Sequence, residues 1–273
     1  GPGRTGPHQV AGPRAVVELL RHAPGRVQAL WMDRRHEDTT LDQLAQTAGV
    51  SVQWTSARTL AQRAPALESQ GVLAHARPPT LLDFEDVLDR ALAPLPSGSP
   101  APSPAPTPSS SPSESPSPPV AASRRIVVAL DGVQDPQNLG AIMRTCEFFG
   151  VLALVWPRDR AAGVTPAVVR ASAGASERLP LCRVVNLARA LEGASERGLW
   201  VMGTVPQGGQ PLPRMVAEDR IPEPLLVVMG GEHGGLRRLT RARCDLLVTI
   251  PGRGGVASLN VSAATAAALA CLW

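Results

Sequence analysis

The sequence predicts an α/β protein with a larger C-terminal domain, whose parallel sheet is covered by helices, and a smaller N-terminal α/β domain. Three observations lead to this prediction. Continuous apolar runs of five or six residues alternate with helical patterns over residues 123–273, which is typical of parallel strands buried on both faces. A shorter alternation fills residues 1–93. A segment rich in Pro and Ser separates these two parts.

In the N-terminal part, some stretches show helical spacing of apolar residues and others alternate as strands do. The pattern predicts, in order, a helix at 15–21, a strand at 27–32, a helix at 41–48, a strand at 50–54, a helix at 58–63, a strand at 71–76 and a helix at 81–92. Strands and helices that alternate over so short a stretch predict a small α/β sandwich at 1–93.

The segment 94–119 contains eleven Pro and nine Ser among its 26 residues. Such a composition cannot bury enough surface to order itself, and its prolines keep the chain extended. We therefore predict a disordered linker at 94–122, between an N-terminal domain at 1–93 and a catalytic domain at 123–273.

The C-terminal part repeats a rhythm of strand and helix. We predict strands at 126–130, 151–156, 199–203, 224–229 and 245–250, and helices at 139–149, 164–172, 187–196 and 261–272. Ligands bind such sheets at the carboxyl ends of the strands. The loops after Leu130, Met229 and Ile250 are therefore where we expect chemistry.

Each of these loops carries polar residues that also fit a structural role. Asn138 could cap a helix, and Arg144 could be a solvated residue on that helix. Glu232 lies in a glycine-rich turn, where glycines allow close approach of the backbone to a ligand or simply form the turn. Capping alone explains one of Ser258, Asn260 and Ser262. Taken singly, the loops leave these alternatives open.

A dinucleotide-binding function is excluded by length. Residues 252–257 match the pattern G-x-G-x-x-A between a strand and a helix, but that fold needs a further strand and an acidic ribose ligand about 20 residues on. Only 16 residues follow Ala257. We therefore reject a nucleotide-binding oxidoreductase.

Together, the three loops resemble the signature motifs of the SpoU/TrmH family of RNA ribose 2′-O-methyltransferases, in the SPOUT superfamily. The matching segments are 138–146 (N-L-G-A-I-M-R-T-C), 228–236 (V-M-G-G-E-H-G-G-L) and 250–262 (I-P-G-R-G-G-V-A-S-L-N-V-S), in the family's order and spacing. Residues 171–177 and 183–189 are similar to the bacterial branch that methylates a guanosine of large-subunit rRNA. The resemblance is strong over 126–273 and loose over 12–77, where the chain is similar to the family's RNA-binding substrate domain.

The resemblance implies methyl transfer from S-adenosylmethionine to a ribose 2′-hydroxyl of RNA, here a guanosine of 23S rRNA. It also implies a homodimer and a deep C-terminal trefoil knot, which periodicity does not predict. Two alternatives remain open: the same chemistry on tRNA, and a non-catalytic RNA-binding factor for ribosome assembly.

The family's site residues transfer to matching positions of this chain. The resemblance implies that Arg144 contacts the hydroxyl and a phosphate, that Asn138 and Glu232 orient Arg144 and the ribose, and that Ser258 and Asn260 complete the site. Because arginine is essentially always protonated, stabilising a developing alkoxide suits Arg144 better than acting as the base. The cofactor would lie against backbone near Gly230, Gly231, Ile250 and Leu259.

The composition agrees with an RNA partner in a reducing compartment. All 27 basic residues are Arg, and the net charge is +4. Planar guanidinium groups can bind phosphate bidentately. Tyr is absent and Phe and Trp are few, which excludes an RNA binder that works by rows of stacking aromatics. Four scattered cysteines and the lack of a long apolar run predict a cytoplasmic protein without a membrane partner.

Two further features carry no clear function in the sequence. His233 and Cys146 lack neighbours at metal-ligand spacing, so we interpret them as a loop residue and a small core residue and predict no metal. The run Arg237, Arg238, Arg241 and Arg243 is either a solvated helix face or a surface that binds RNA backbone.

Overall fold

The computed structural model describes residues 8–35, 39–65, 67–94, 124–232 and 234–273. Of the predicted linker at 94–122, only residue 94 belongs to the described residues. His233 lies outside them. Two sheets organise the described chain, one of four strands near the N-terminus and one of seven strands after residue 124. The prediction of an α/β fold with two sheet-containing parts is confirmed.

The smaller sheet is mixed and has the strand order β1-β4-β2-β3. Strand β4 pairs antiparallel with both β1 and β2, whereas β2 and β3 are parallel. Its elements are β1 (His8–Ala11), α1 (Pro13–His22), β2 (Val27–Asp33), α2 (Thr39–Thr47), β3 (Val52–Thr55), α3 (Ala57–Arg63) and β4 (Val72–Ala76). Helices α1 and α2 pack on one face, where Leu19, Leu30 and Leu41 are fully buried.

The larger sheet is parallel throughout its described strands, in the order β7-β6-β5-β10-β8-β11-β9. Its strands are β5 (Ile126–Asp131), β6 (Ala153–Pro157), β7 (Leu181–Val184), β8 (Trp200–Thr204), β9 (Gln210–Pro211), β10 (Leu225–Gly230) and β11 (Leu246–Thr249). Strand β10 lies between β5 and β8. This position brings the loops after β5 and β10 side by side.

Helices cover both faces of the larger sheet, as the continuous apolar strands predict. One face packs on α5 (Pro136–Phe148), α6 (Pro166–Ala171), α8 (Leu212–Ala217) and α10 (Val261–Leu272). The other packs on α4 (Phe84–Leu92) and α7 (Leu187–Glu196), near the short α9 (Arg238–Arg241). Alternate residues of β5 enter the two cores, with Val128 on the first side and Val127 on the second.

Helix α4 belongs to the core of the larger sheet although it precedes the linker. Val87, Leu88 and Ala91 are buried among residues of β5, β6 and α7. The chain just before α4 also joins this sheet, because the Leu82 amide donates to the Leu181 carbonyl at 2.8 Å. The described chain therefore crosses to the larger sheet before the Pro-rich segment begins.

The two parts contact one another through α1, β1 and the region around α6. Val169 of α6 is buried in the core of the smaller sheet. Glu177, in the 3₁₀ turn Ala175–Glu177, accepts hydrogen bonds from Arg26 at 2.5 Å and pairs with His8 at 3.4 Å. The smaller sheet is thus held against the larger part by apolar packing and by a buried ion pair.

Candidate active site

The loops after β5, β10 and β11 leave the larger sheet at the same edge, because its strands are parallel. The first loop leads into α5, the second is the glycine-rich segment that begins at Gly230, and the third leads into α10. The edge expected to carry chemistry thus brings together residues that are about 120 positions apart in the sequence.

A chain of hydrogen bonds joins these three loops. The amide of Asn138 donates to Oε1 of Glu232, and the amide of Asn260 donates to Oδ1 of Asn138 at 3.0 Å. Asn138 therefore uses its donor on one loop and its acceptor on another. The structure brings together three of the five predicted catalytic side chains, with Glu232 as the charged member.

Helix capping does not explain Asn138. Helix α5 begins at Pro136 and is capped by Asp135, which accepts a hydrogen bond from the Gln137 amide at 3.0 Å. The alternative that Asn138 caps this helix is wrong, because the Asp-Pro pair before it already provides the cap and the first helical residue. The amide of Asn138 is therefore available to the neighbouring loops.

Asn260 has two roles at once. Its Oδ1 accepts from the Ser262 amide at 2.8 Å and caps α10. Its Nδ2 donates to Asn138. Ser262 adds a hydroxyl donor to the same Oδ1 at 2.7 Å. The capping interpretation is confirmed for Asn260, and the structure adds a contact across the site.

A cavity of about 140 Å³ lies directly beside this cluster. All four predicted cofactor-binding residues line it (Gly230, Gly231, Ile250 and Leu259), together with Glu232, Ser258 and the residues at the end of β8, Thr204 and Val205. Its wall combines exposed backbone of the glycine-rich turn with the apolar side chains of Ile250 and Leu259. Such a mixed lining suits a ligand that has both polar and apolar parts.

The glycine-rich turn needs its glycines for space. A Cβ on Gly230 would lie 2.3 Å from the carbonyl carbon of Gly235, and one on Gly231 would lie 2.5 Å from the carbonyl oxygen of Gly132. A side chain at Gly231 would force the loops after β5 and β10 apart, and one at Gly230 would open the glycine-rich turn itself. The close approach brings the backbone to the wall of the cavity.

Arg144 lies away from this cluster. It is exposed on α5, six residues after Asn138, which places it about 9 Å farther along the helix. There it lines a cleft of about 450 Å³ between the two parts of the chain, with Arg14 and Arg21 of α1 and with Arg178. Within one copy of the protein, Arg144 therefore lies apart from the other predicted catalytic residues.

The interdomain cleft is basic. Four arginines face it against two glutamates, Glu18 and Glu147. Arg178 pairs with both glutamates, at 3.3 Å and 2.8 Å, whereas the side chains of Arg14 and Arg144 make no hydrogen bond or ion pair with any residue that the structure describes. Two guanidinium groups are thus left for an anionic ligand.

The arginines that follow the second motif differ in their contacts. Arg243 pairs with Glu192 at 2.7 Å, and Nε of Arg237 lies 3.6 Å from Asp131. Arg238 lines a groove at the carboxyl ends of β5 and β6. The helix that carries the run is only four residues long, so the run does not form one continuous helix face.

Several residues that line this region were not predicted from the sequence. Thr204 and Val205 follow a strand that was predicted, so the rule on carboxyl ends could have found them. No sequence pattern marks Arg14, Arg21 and Arg178 as neighbours, because their proximity depends on how the two parts of the chain pack. Asp131, the last residue of β5, is buried at the edge of the site.

The cysteines are isolated from this chemistry. Cys146 is fully buried, as predicted for a small core residue, and burial raises the pKa of its thiol. Burial likewise raises the pKa of Cys182 to about 11 and of Cys244 to about 12. Among the described residues, no three His, Cys, Asp or Glu side chains meet as a metal ion would require, and no described helix has the length and apolarity to cross a membrane.

Two family models match the chain. The SpoU rRNA methylase family matches residues 125–270, and the RNA 2′-O ribose methyltransferase substrate-binding family matches residues 9–82. The first match contains all the predicted site residues. The second covers the smaller sheet and ends just before α4.

Known proteins resemble the chain over nearly its whole length. The 23S rRNA (guanosine-2′-O-)-methyltransferase RlmB of Pseudomonas syringae pv. tomato is 37% identical, over 96% of this chain and 93% of the relative. The RlmB protein of Shewanella oneidensis is 35% identical, over 94% and 92%. The SpoU methyltransferase AviRb from Streptomyces viridochromogenes, solved with AdoMet, has a TM-score of 0.69 at 24% identity, over 96% and 88%, and shares the fold.

Proposed function

The chain belongs to the SpoU rRNA methylase family, and on that basis we propose that it transfers a methyl group from S-adenosylmethionine to the ribose 2′-hydroxyl of a guanosine in 23S rRNA. The observation that carries this proposal is the hydrogen-bonded cluster of Asn138, Glu232 and Asn260 beside a cavity at the carboxyl ends of the strands. A catalytic centre of this kind is not needed by a protein that only binds RNA.

The cavity residues fit S-adenosylmethionine. Gly230 and Gly231 offer backbone where a side chain has no room, and Ile250 and Leu259 offer apolar surface. We assign these four residues to the cofactor. When bound, it supplies an electrophilic methyl group. Because that methyl is already activated, the reaction we propose uses no metal.

Glu232, Asn138 and Asn260 would position the ribose. The carboxylate accepts hydrogen bonds only, so it can hold the ribose by accepting a hydrogen bond that a ribose hydroxyl donates. Asn138 fixes Glu232, and Asn260 fixes Asn138. Ser258 lies on the wall of the same cavity, where its hydroxyl can contact the sugar. Holding the hydroxyl in line with the methyl lowers the entropic part of the barrier.

We assign Arg144 to the substrate strand rather than to the cluster. Its guanidinium group is exposed and makes no hydrogen bond or ion pair with described residues. A phosphate in the interdomain cleft could bind Arg144 together with Arg14, since guanidinium groups bind phosphate bidentately. An RNA strand that lies along α5 from the cleft would place its ribose between Asn138 and Arg144, where the long Arg144 side chain can stabilise the developing alkoxide.

For the chain as a whole, we propose an RNA-binding domain at 1–93, a linker at 94–122 and a catalytic domain at 123–273, with α4 packed on the catalytic sheet. We also propose the deep trefoil knot that the family resemblance implies. The contact of α10 with α5 beside the cavity supports it, although knots are rare in proteins. We place the protein in the cytoplasm with its rRNA substrate.

We propose that the protein acts as a homodimer. Phe148 and Trp273, at the ends of α5 and α10, are 78% and 66% exposed, and Phe149 links them through edge-to-face ring contacts. Exposed aromatic patches of this kind mark protein interfaces. A second copy that covers this patch would bury it, and the mass of the protein measured by light scattering tests the assembly.

The function is tested by binding and by transfer. Calorimetric titration should show saturable binding of S-adenosylmethionine and none of NAD. Labelled methyl groups should then enter a 23S rRNA transcript and not a tRNA transcript, and mass mapping of RNA fragments should place the label on one guanosine.

The alternatives predict different results. Transfer to tRNA alone would replace the rRNA substrate by the tRNA alternative. Binding of rRNA with no transfer to free RNA or ribosomal particles would support the non-catalytic assembly factor.

A further inference from the structure

A second groove, of about 290 Å³, adjoins the proposed active site. Asp131, Gln134 and Arg237 line it, and its remaining wall is glycine backbone. Gly231 and Gly235 also line the cofactor cavity, so the glycine-rich turn is a thin partition between the two spaces. A nucleotide whose ribose lies at Glu232 can therefore place its base in this groove.

The carboxylate of Asp131 is the unusual group in the groove. Its side chain is 1% exposed. Oδ2 accepts a hydrogen bond from the Arg237 amide at 2.7 Å, but Oδ1 is buried without a hydrogen-bond partner among the residues that the structure describes. Nε of Arg237, at 3.6 Å, is too far to form one. A buried carboxylate oxygen without a donor is costly, which indicates that a ligand supplies the donor.

The shape and charge of the groove favour a planar ligand that bears hydrogen-bond donors. Glycines at 132, 231, 234 and 235 form the part of its wall that carries no side chains. The Arg237 guanidinium is 44% exposed and lies over Gly132, with Nη2 about 3.2 Å from where a Cβ would be. A guanidinium plane stacks well on aromatic faces. Because the Arg237 side chain is partly exposed, an outward rotation could admit a ligand to Oδ1 of Asp131.

Among the RNA bases, guanine offers two adjacent donors on one edge, N1–H and the 2-amino group. Adenine and cytosine present an acceptor next to their amino group, and uracil presents a single N–H between carbonyls. A carboxylate accepts hydrogen bonds only, and enzymes that modify nucleotides can recognise an extruded base by its Watson–Crick edge. The groove therefore fits guanine better than the other bases.

We propose that Asp131 recognises the guanine base of the nucleotide to be methylated, with Oδ1 accepting a hydrogen bond from the 2-amino group and Arg237 stacking on the base. This inference rests on the proposed function and adds a specificity residue to it. Oδ2 keeps its bond to the Arg237 amide, so the loop after β10 stays in place when the base binds.

The test compares RNA substrates that differ at the modified position by one group. Inosine retains N1–H and lacks the 2-amino group. We expect the wild-type protein to favour guanosine over inosine about tenfold in kcat/KM, the worth of one hydrogen bond to a charged group. In Asp131→Asn, the preference should fall to about twofold, because an amide nitrogen would replace the free oxygen.

Asp135→Asn is the matched control. It removes the same charge four residues away, and asparagine can still cap α5, so this variant should keep the tenfold preference. Thermal melting and binding of S-adenosylmethionine report whether each variant is folded.

Three results would overturn the inference. The first needs no variant: the inference is overturned if the wild type has the same kcat/KM on RNA with guanosine and on RNA with inosine at the modified position. A folded Asp131→Asn protein that keeps the full preference does the same. Absence of transfer to any guanosine RNA by the wild type would instead remove the proposed function, and this inference with it.

Discussion

The exposed guanidinium of Arg144 offers a clean test at the scale of one residue. Because it makes no hydrogen bond or ion pair with described residues, Arg144→Ala should leave melting and S-adenosylmethionine binding unchanged. Methyl transfer should fall by about 100-fold or more, the usual effect of removing a group that stabilises a developing anion. Initial rates on 23S rRNA measure this.

Arg90→Ala is the control for that loss. Arg90 is an exposed arginine on α4, so its removal changes the net charge equally without touching the cleft around Arg144. If both variants lose the same activity, the effect is one of overall charge on RNA binding and Arg144 has no special role.

Asn260 combines a helix-capping contact with a contact across the proposed active site, and substitution can separate the two. Asn260→Asp keeps an oxygen to cap α10 but loses the amide that donates to Asn138 and adds a charge near Glu232. We expect an unchanged melting temperature and a loss of transfer of about tenfold or more. Asn260→Ala should lose transfer and also about 1 kcal/mol of stability from the missing cap. Full activity in Asn260→Asp would reduce the residue to a helix cap.

At the scale of elements, helices α5 and α6 meet at a glycine. A Cβ on Gly140 would lie 2.4 Å from Cβ of Ala171 and 2.9 Å from its backbone carbon. Gly140→Ala should therefore push the helices apart and cost about 1–3 kcal/mol. Urea denaturation measures this cost.

Gly193 in α7 is the matched control for Gly140, because nothing lies within 4 Å of its would-be Cβ. Gly193→Ala should stabilise the protein by up to about 1 kcal/mol through helix propensity. A stabilised Gly140→Ala protein would show that the two helices can separate at no cost.

The elements also show how far the sequence carries the fold. Helices α7 and α10 occupy the predicted ranges, because their patterns are long and bounded. Strand β7 was not predicted, since a four-residue run that includes Arg183 gives little pattern. The start of α5 was placed too late, although Asp135 and Pro136 are a recognisable start signal.

The sequence alone does not show which elements lie beside one another in the fold. The position of β10 between β5 and β8 depends on long-range pairing, and with it the meeting of Asn138, Glu232 and Asn260. The motif resemblance nevertheless selected these residues. Nothing local placed Arg144 in the cleft with Arg14, because that contact is set by packing between the two parts.

At the scale of the whole molecule, Glu177 joins the two parts of the chain. Its carboxylate is fully buried between Arg26 and His8. Burial alone would raise its pKa, but the hydrogen bond with His8 and the charge of Arg26 together outweigh burial and hold the pKa of Glu177 below its usual value of 4.5. The paired carboxylate therefore stabilises the folded chain at neutral pH.

The lowered pKa fixes the direction of a pH dependence. The stabilisation is complete above the unfolded value near 4.5 and is lost as the pH falls through the lower folded value. Glu177→Gln should cost about 2 kcal/mol at pH 7, typical of a hydrogen bond to a charged group. The difference from the wild type should shrink steadily below the unfolded value and vanish below the folded one, as measured by urea denaturation across this range.

Glu85→Gln provides the comparison, because its pair with Arg197 is exposed and should contribute nothing measurable at any pH. Both variants exchange a carboxylate for an amide of the same shape, one in a buried cluster and the other in an exposed pair. A cost for Glu177→Gln that is the same at pH 7 and at low pH would mean that packing, rather than charge, holds the smaller sheet against the larger part. In that case the cleft that contains Arg144 would not depend on this ion pair.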